Sequence, residues 1–136
     1  MADRGKARVP IWTSAACLTL LGPVRLLNSA GDDHTPKTRK SRALLTVVAL
    51  AGAPVPRTRL SELLWGDRAE EQSKASLRQA LYELGLLTES GALSSDRQFV
   101  SLTATKLPTD ISELERRIAK RDFEGVAAAL EQVRMP

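Results

Sequence analysis

The chain has 136 residues, 43% of them hydrophobic and 4% aromatic, with 20 Lys and Arg against 16 Asp and Glu, a net charge of +4. That length supports one compact domain with a short appendage, and so few aromatics argue against a single-strand binder built on stacked rings. A single Cys, Cys17, and a single His, His34, exclude an internal disulfide and a four-ligand zinc site of the finger or ribbon type, and with no metal or cofactor indicated a reducing, cytoplasmic setting is expected.

The charge is uneven. Residues 1–60 carry ten basic and three acidic side chains, whereas residues 61–110 carry five basic and eight acidic. A basic front half suits an anionic partner, of which nucleic acid is the commonest. Arg4, Lys6 and Arg8 precede an apolar stretch from Val9 to Leu21, but Pro10, Thr13, Ser14 and Thr19 interrupt it. It lacks the continuous centre of a signal peptide and the length of a membrane span. Residues 1–15 are expected to be a disordered basic arm, and no membrane partner is expected.

From Cys17 to Leu27 two short apolar runs flank Gly22-Pro23, which predicts two strands around a bend, and the cluster Asn28 to Asp33 reads as a turn. Thr35-Pro36 offers a helix cap and a first-turn proline. Ala43, Leu44, Val47, Val48 and Leu50 then recur at helical spacing up to Gly52. Lys37, Arg39, Lys40 and Arg42 crowd the start of this helix, where cations oppose its dipole, so an anion nearby would account for them.

Pro54-Val55-Pro56 forces an extended connector, and Thr58 is a candidate cap for a second helix carrying Leu60, Leu63 and Leu64 on one face. Trp65 is expected to plug the junction of that helix with a sheet. Residues 67–72 read as a polar loop, with Ser73 capping a third helix. In that helix Leu77, Ala80, Leu81, Leu84 and Leu87 form a stripe, while Lys74, Ser76, Arg78, Gln79, Tyr82 and Glu83 occupy the opposite side. The apolar pair Ala92-Leu93, the turn residues Ser94 to Arg97 and the run Phe99, Val100 and Leu102 then predict a hairpin, and helices follow from Asp110 and Phe123.

Strands, helix, short helix, polar loop, amphipathic helix and hairpin make an α+β, winged helix-turn-helix ground plan: a three-helix core, an N-terminal antiparallel sheet and a C-terminal wing hairpin. Nothing in the sequence supplies a nucleophile–base pair, a phosphate loop or paired catalytic carboxylates, so the chain is not expected to be an enzyme.

The stretch RALLTVVALAGAPVPRTRLSELLWGDRAEEQSKASLRQALYEL resembles the OmpR/PhoB-type DNA-binding domain of SARP/AfsR-like bacterial transcriptional regulators, through its LLW run, acidic loop and SLRQAL helix. The likeness spans residues 17 to 114. It implies a winged-helix domain over residues 16–108 and, over 109–136, the start of a TPR-like helical-repeat segment of a longer regulator. It also implies sequence-selective binding of double-stranded DNA, by two copies at repeated half-sites, and recruitment of RNA polymerase.

Carried over residue by residue, Lys74, Ser76, Arg78, Gln79 and Tyr82 fall on the groove-facing helix. Arg97 falls on the wing, and Lys37, Arg39, Lys40, Arg42 and Thr58 are backbone contacts. Arg78 suits a guanine edge and Gln79 an adenine edge, while Lys74 and the helix's first N–H groups suit phosphate. Glu83 and Gly85 depart from the more basic pattern of such helices, which lowers the expected DNA affinity. The alternative reading is a winged helix reused for protein–protein contacts.

Overall fold

The structure, a computed structural model, describes residues 16–89 and 91–131. The expected arm at 1–15 lies outside the described residues. Those described form a mixed α+β fold with five helices and two small antiparallel sheets, divided into two compact units.

One unit joins the front of the chain, up to Thr35, to the stretch from Ala104 onward. Strands β1 (Cys17–Thr19) and β2 (Arg25–Leu27) pair antiparallel, with Leu18 opposite Leu26. The bend between them includes Gly22 at φ 90°, and the predicted turn is closed by the Asn28 amide oxygen, which accepts from the N–H groups of Ala30 and Asp32. Thr35 is not a helix cap. Its hydroxyl instead accepts from Leu26 N–H and donates to the Asp33 carboxylate, so it braces the turn.

Helices α4 (Asp110–Ala119) and α5 (Phe123–Glu131) complete this unit. Thr109 and Ser112 cap α4 reciprocally, which satisfies two of its orphan N–H groups. The neighbouring Asp110 carboxylate accepts from Leu20 N–H at 2.8 Å and Leu21 N–H at 3.0 Å, tying the end of β1 to the start of α4. Cys17 is fully buried there, and burial, followed by the charge of Asp110, pushes its thiol up to about 11.

The second unit spans Pro36 to Thr103. Helix α1 (Arg39–Ala51) starts later than Thr35-Pro36 suggested, with Thr38 as the cap accepting from Ser41 N–H, and ends at Gly52 with φ 65°. That left-handed C-terminus is where glycine avoids the Cβ clash of other residues. Ser41, Leu44, Leu45 and Val48 form its buried stripe.

The two-residue strand β3 (Val55–Pro56) runs directly into helix α2 (Arg57–Trp65). Thr58 therefore lies inside the first turn and caps nothing. The leading N–H of α2, that of Arg57, is taken instead by the Gln98 carbonyl at 2.8 Å. Leu60 and Trp65 are buried as expected, but Leu63 is 61% exposed, since the nine-residue helix hides only a narrow face.

Helix α3 (Glu70–Leu87) begins three residues before Ser73 and absorbs much of the predicted polar loop. Ser73 lies buried inside the helix, and its hydroxyl donates to the Trp65 carbonyl at 2.6 Å. Leu77, Ala80, Leu81 and Leu84 are buried, whereas Leu87 is half-buried. Strands β4 (Leu93–Ser95) and β5 (Phe99–Leu102) form the predicted hairpin, and β3 pairs with β5 on its other side.

Candidate nucleic-acid interface

The outward side of α3 is the candidate reading surface. Arg78, Gln79 and Tyr82 are exposed there, Tyr82 by 65%. Gln79 donates its amide N–H to the Glu83 carboxylate at 3.1 Å, an exposed contact one turn along the helix. Ser76 is half-buried and accepts from the Arg68 guanidinium at 2.8 Å. At about 100° per residue, Ser76 and Lys74 fall on opposite flanks of the outward face. Arg78 has no hydrogen-bond or ion-pair partner among the described residues.

The start of α3 differs from expectation in a way that matters for charge. Its first turn carries Glu70 and Glu71, and Lys74 is the fifth residue of the helix, paired with Glu70 at 3.1 Å. Carboxylates there complement the dipole but repel an incoming phosphate. Lys74 and the first N–H groups of α3 therefore do not make the open anion site that a start at Ser73 predicted.

The cluster before α1 also divides. Lys40 is half-buried, donates to the Leu64 carbonyl and holds its ammonium 5.7 Å from the centre of the Trp65 ring. It thus serves the carbonyl end of α2, where a cation is favourable, and this offsets its awkward position at the start of α1. Arg42 donates to the carbonyls of Pro36 at 2.9 Å and Lys37 at 3.0 Å. No external anion is needed to account for either. Lys37 and Arg39 are exposed and without such partners among the described residues.

At the tip of the hairpin, Asp96 accepts from Gln98 N–H at 2.7 Å and Phe99 N–H at 2.8 Å, and these two backbone bonds hold its carboxyl below the usual range. Arg97 projects from this braced turn and is exposed. Arg57 donates from its guanidinium to the Asp96 carbonyl at 2.8 Å, locking the tip to the start of α2. Thr58 and Arg59 are exposed on the first turn of α2.

Sequence reasoning missed Arg57, Arg59 and Arg68, because no periodic pattern distinguishes them. The signal available was arginine immediately after Pro56, at the end of a forced extended segment. The unit from Pro36 to Thr103 holds ten basic and seven acidic residues. Among the described residues no three His, Cys, Asp or Glu side chains are placed to hold a metal ion, and no helix is long and apolar enough to cross a membrane.

No protein-family model matches the chain, and no curated protein matches it. Among solved structures it is similar to Mycobacterium tuberculosis EmbR, determined in complex with a low affinity phosphopeptide, with a TM-score of 0.63 and 23% identity over 89% of this chain. The chain spans 36% of the EmbR chain, and the likeness is one of fold.

Proposed function

We propose that this chain binds double-stranded DNA in a sequence-selective way as part of transcriptional regulation, as an OmpR/PhoB-type winged helix-turn-helix. In this reading α3 enters the major groove and the β4–β5 hairpin is the wing on the flanking backbone. The observation that carries it is the division of α3: Leu77, Ala80, Leu81 and Leu84 are buried, while Arg78, Gln79 and Tyr82 stand exposed on the other side. A guanidinium with no internal partner among the described residues suits the paired acceptors of a guanine edge.

Around that helix, Lys37, Arg39, Thr58, Arg59 and Arg97 are the proposed phosphate contacts. Lys40, Arg42 and Lys74 contribute field rather than direct contact, because their head groups are engaged within the chain. The DNA-binding domain is taken as residues 16–108 and the segment 109–136 as the opening of a helical-repeat region. RNA polymerase and a second copy on repeated half-sites are the proposed partners, in the bacterial cytoplasm. The activity is binding without catalysis.

The test is selection of bound duplexes from a random pool, followed by quantitative binding of two variants. Arg78→Ala is expected to weaken binding by about 1–3 kcal/mol and relax preference at one base pair. Arg97→Ala is expected to weaken all duplexes about equally. If both are silent on a selected duplex, the groove assignment is wrong.

A second reading, a protein–protein interaction module, draws support from Glu70 and Glu71 at the head of α3 and from exposed Tyr82 and Leu86. Binding to duplex DNA that is absent, or indifferent to salt, favours that reading.

A further inference from the structure

Resting on the DNA-binding reading above, we propose that α3 selects its duplex by thymine methyl groups, with Ala75, Tyr82 and Leu86 as apolar readers on either side of Arg78. These four residues are spaced by three, four and four. At about 100° per residue they fall within one strip about 80° wide, opposite the buried leucines. Tyr82 is 65% exposed and Leu86 69% exposed, and Ala75 is exposed one turn before Arg78.

The polar groups beside the strip are engaged within the chain. Arg68 holds the Ser76 hydroxyl and Glu83 holds the Gln79 amide. From Ala75 to Leu86 the outward strip of α3 is therefore one guanidinium in a row of an alanine methyl, a phenol ring and a leucine, one turn beyond the exposed Glu71. On the floor of the major groove the apolar feature is the thymine C5 methyl, and alanine-sized to aromatic side chains meet it by burial alone.

From Ala75 to Leu86 the helix rises by about 16 Å, at roughly 1.5 Å per residue. At about 3.4 Å per base pair that length covers about five steps of a duplex. The expected target is thus a guanine read by Arg78, flanked within about five base pairs by thymines on either strand.

The experiment replaces thymidine by deoxyuridine, one position at a time, in a duplex enriched from a random pool by the full chain. This removes the methyl and leaves every hydrogen-bonding edge intact. Each contacted methyl is expected to weaken binding by about fourfold, as the loss of one buried methyl group implies. The sensitive positions are expected to cluster within the five-step window and to lose their sensitivity in Tyr82→Ala, Leu86→Ala, a double variant whose thermal melt confirms folding.

Equal affinity for thymidine and deoxyuridine duplexes, with sequence preference retained, overturns the methyl reading and leaves DNA binding standing. So does undiminished deoxyuridine sensitivity in the double variant. Failure to enrich any duplex removes both.

Discussion

Lys40→Met separates a structural cation from a DNA-binding one. Methionine keeps a flexible apolar stem against Trp65 while removing the ammonium that donates to the Leu64 carbonyl and sits 5.7 Å from the Trp65 ring centre. Loss of a charged hydrogen bond costs about 1.5 kcal/mol at a half-buried site, and loss of the ring contact about 0.5 kcal/mol more. Relief of a cation at the wrong end of the α1 dipole returns about 0.5 kcal/mol. The net destabilisation is about 1.5 kcal/mol, or a fall of several degrees in melting temperature for a domain of this size. Thermal unfolding followed by circular dichroism reads it directly. The companion readout is the salt dependence of duplex binding, whose slope should change far less in Lys40→Met than in Arg39→Ala, where it should flatten by about 0.9. An unchanged melting temperature together with a flattened slope would refute the assignment of Lys40 to the end of α2.

Three further outcomes are expected. Gly85 lies inside α3 at negative φ with nothing within 4 Å of an added Cβ, so Gly85→Ala should stabilise by about 0.5–1 kcal/mol. Gly52→Ala, at φ +65°, should destabilise by about 1 kcal/mol, and paired thermal melts of the two variants check the contrast. Asp96 titrates lower folded than unfolded, because the Gln98 and Phe99 N–H groups favour its charged form. Its contribution is present above the unfolded pKa and is lost as pH falls through the folded one. An NMR titration should therefore show the hairpin tip loosening with a midpoint below that of an ordinary aspartate. Cys17, buried with its pKa raised to about 11, should resist alkylation at pH 8 in the native chain and react rapidly once unfolded.

The stripe Leu77, Ala80, Leu81 and Leu84 was legible in the sequence because helical period alone dictates which residues share a face. The α1 terminus at Gly52 and the β4–β5 hairpin were legible for similar local reasons. What escaped depends on contacts that helical or strand period does not encode. Ser73 has the chemistry of a cap, but its hydroxyl is claimed by Trp65, eight residues away, and α3 starts from Ala69 with no side-chain cap. Thr35 is similarly claimed by Leu26 and Asp33.

Lys40 looked like part of an anion site because its partner, the carbonyl end of α2, lies 24 residues away. The Asp110 carboxylate bonds backbone 90 residues away, and no local pattern foretells that. On the candidate surface, the exposure of Arg78 followed from period, whereas the pairing of Lys74 with Glu70 required knowing where α3 begins.

Duplex binding as a function of salt separates groove reading by α3 from a protein-contact role. Fluorescence anisotropy on a selected duplex and on a scrambled one should give a selected-site affinity that falls steeply between about 50 and 200 mM salt, with a log–log slope near −4 for four to five neutralised phosphates. The scrambled duplex should bind more weakly at every salt concentration. Equal, salt-insensitive binding of both duplexes, or no binding at low salt, would contradict the account.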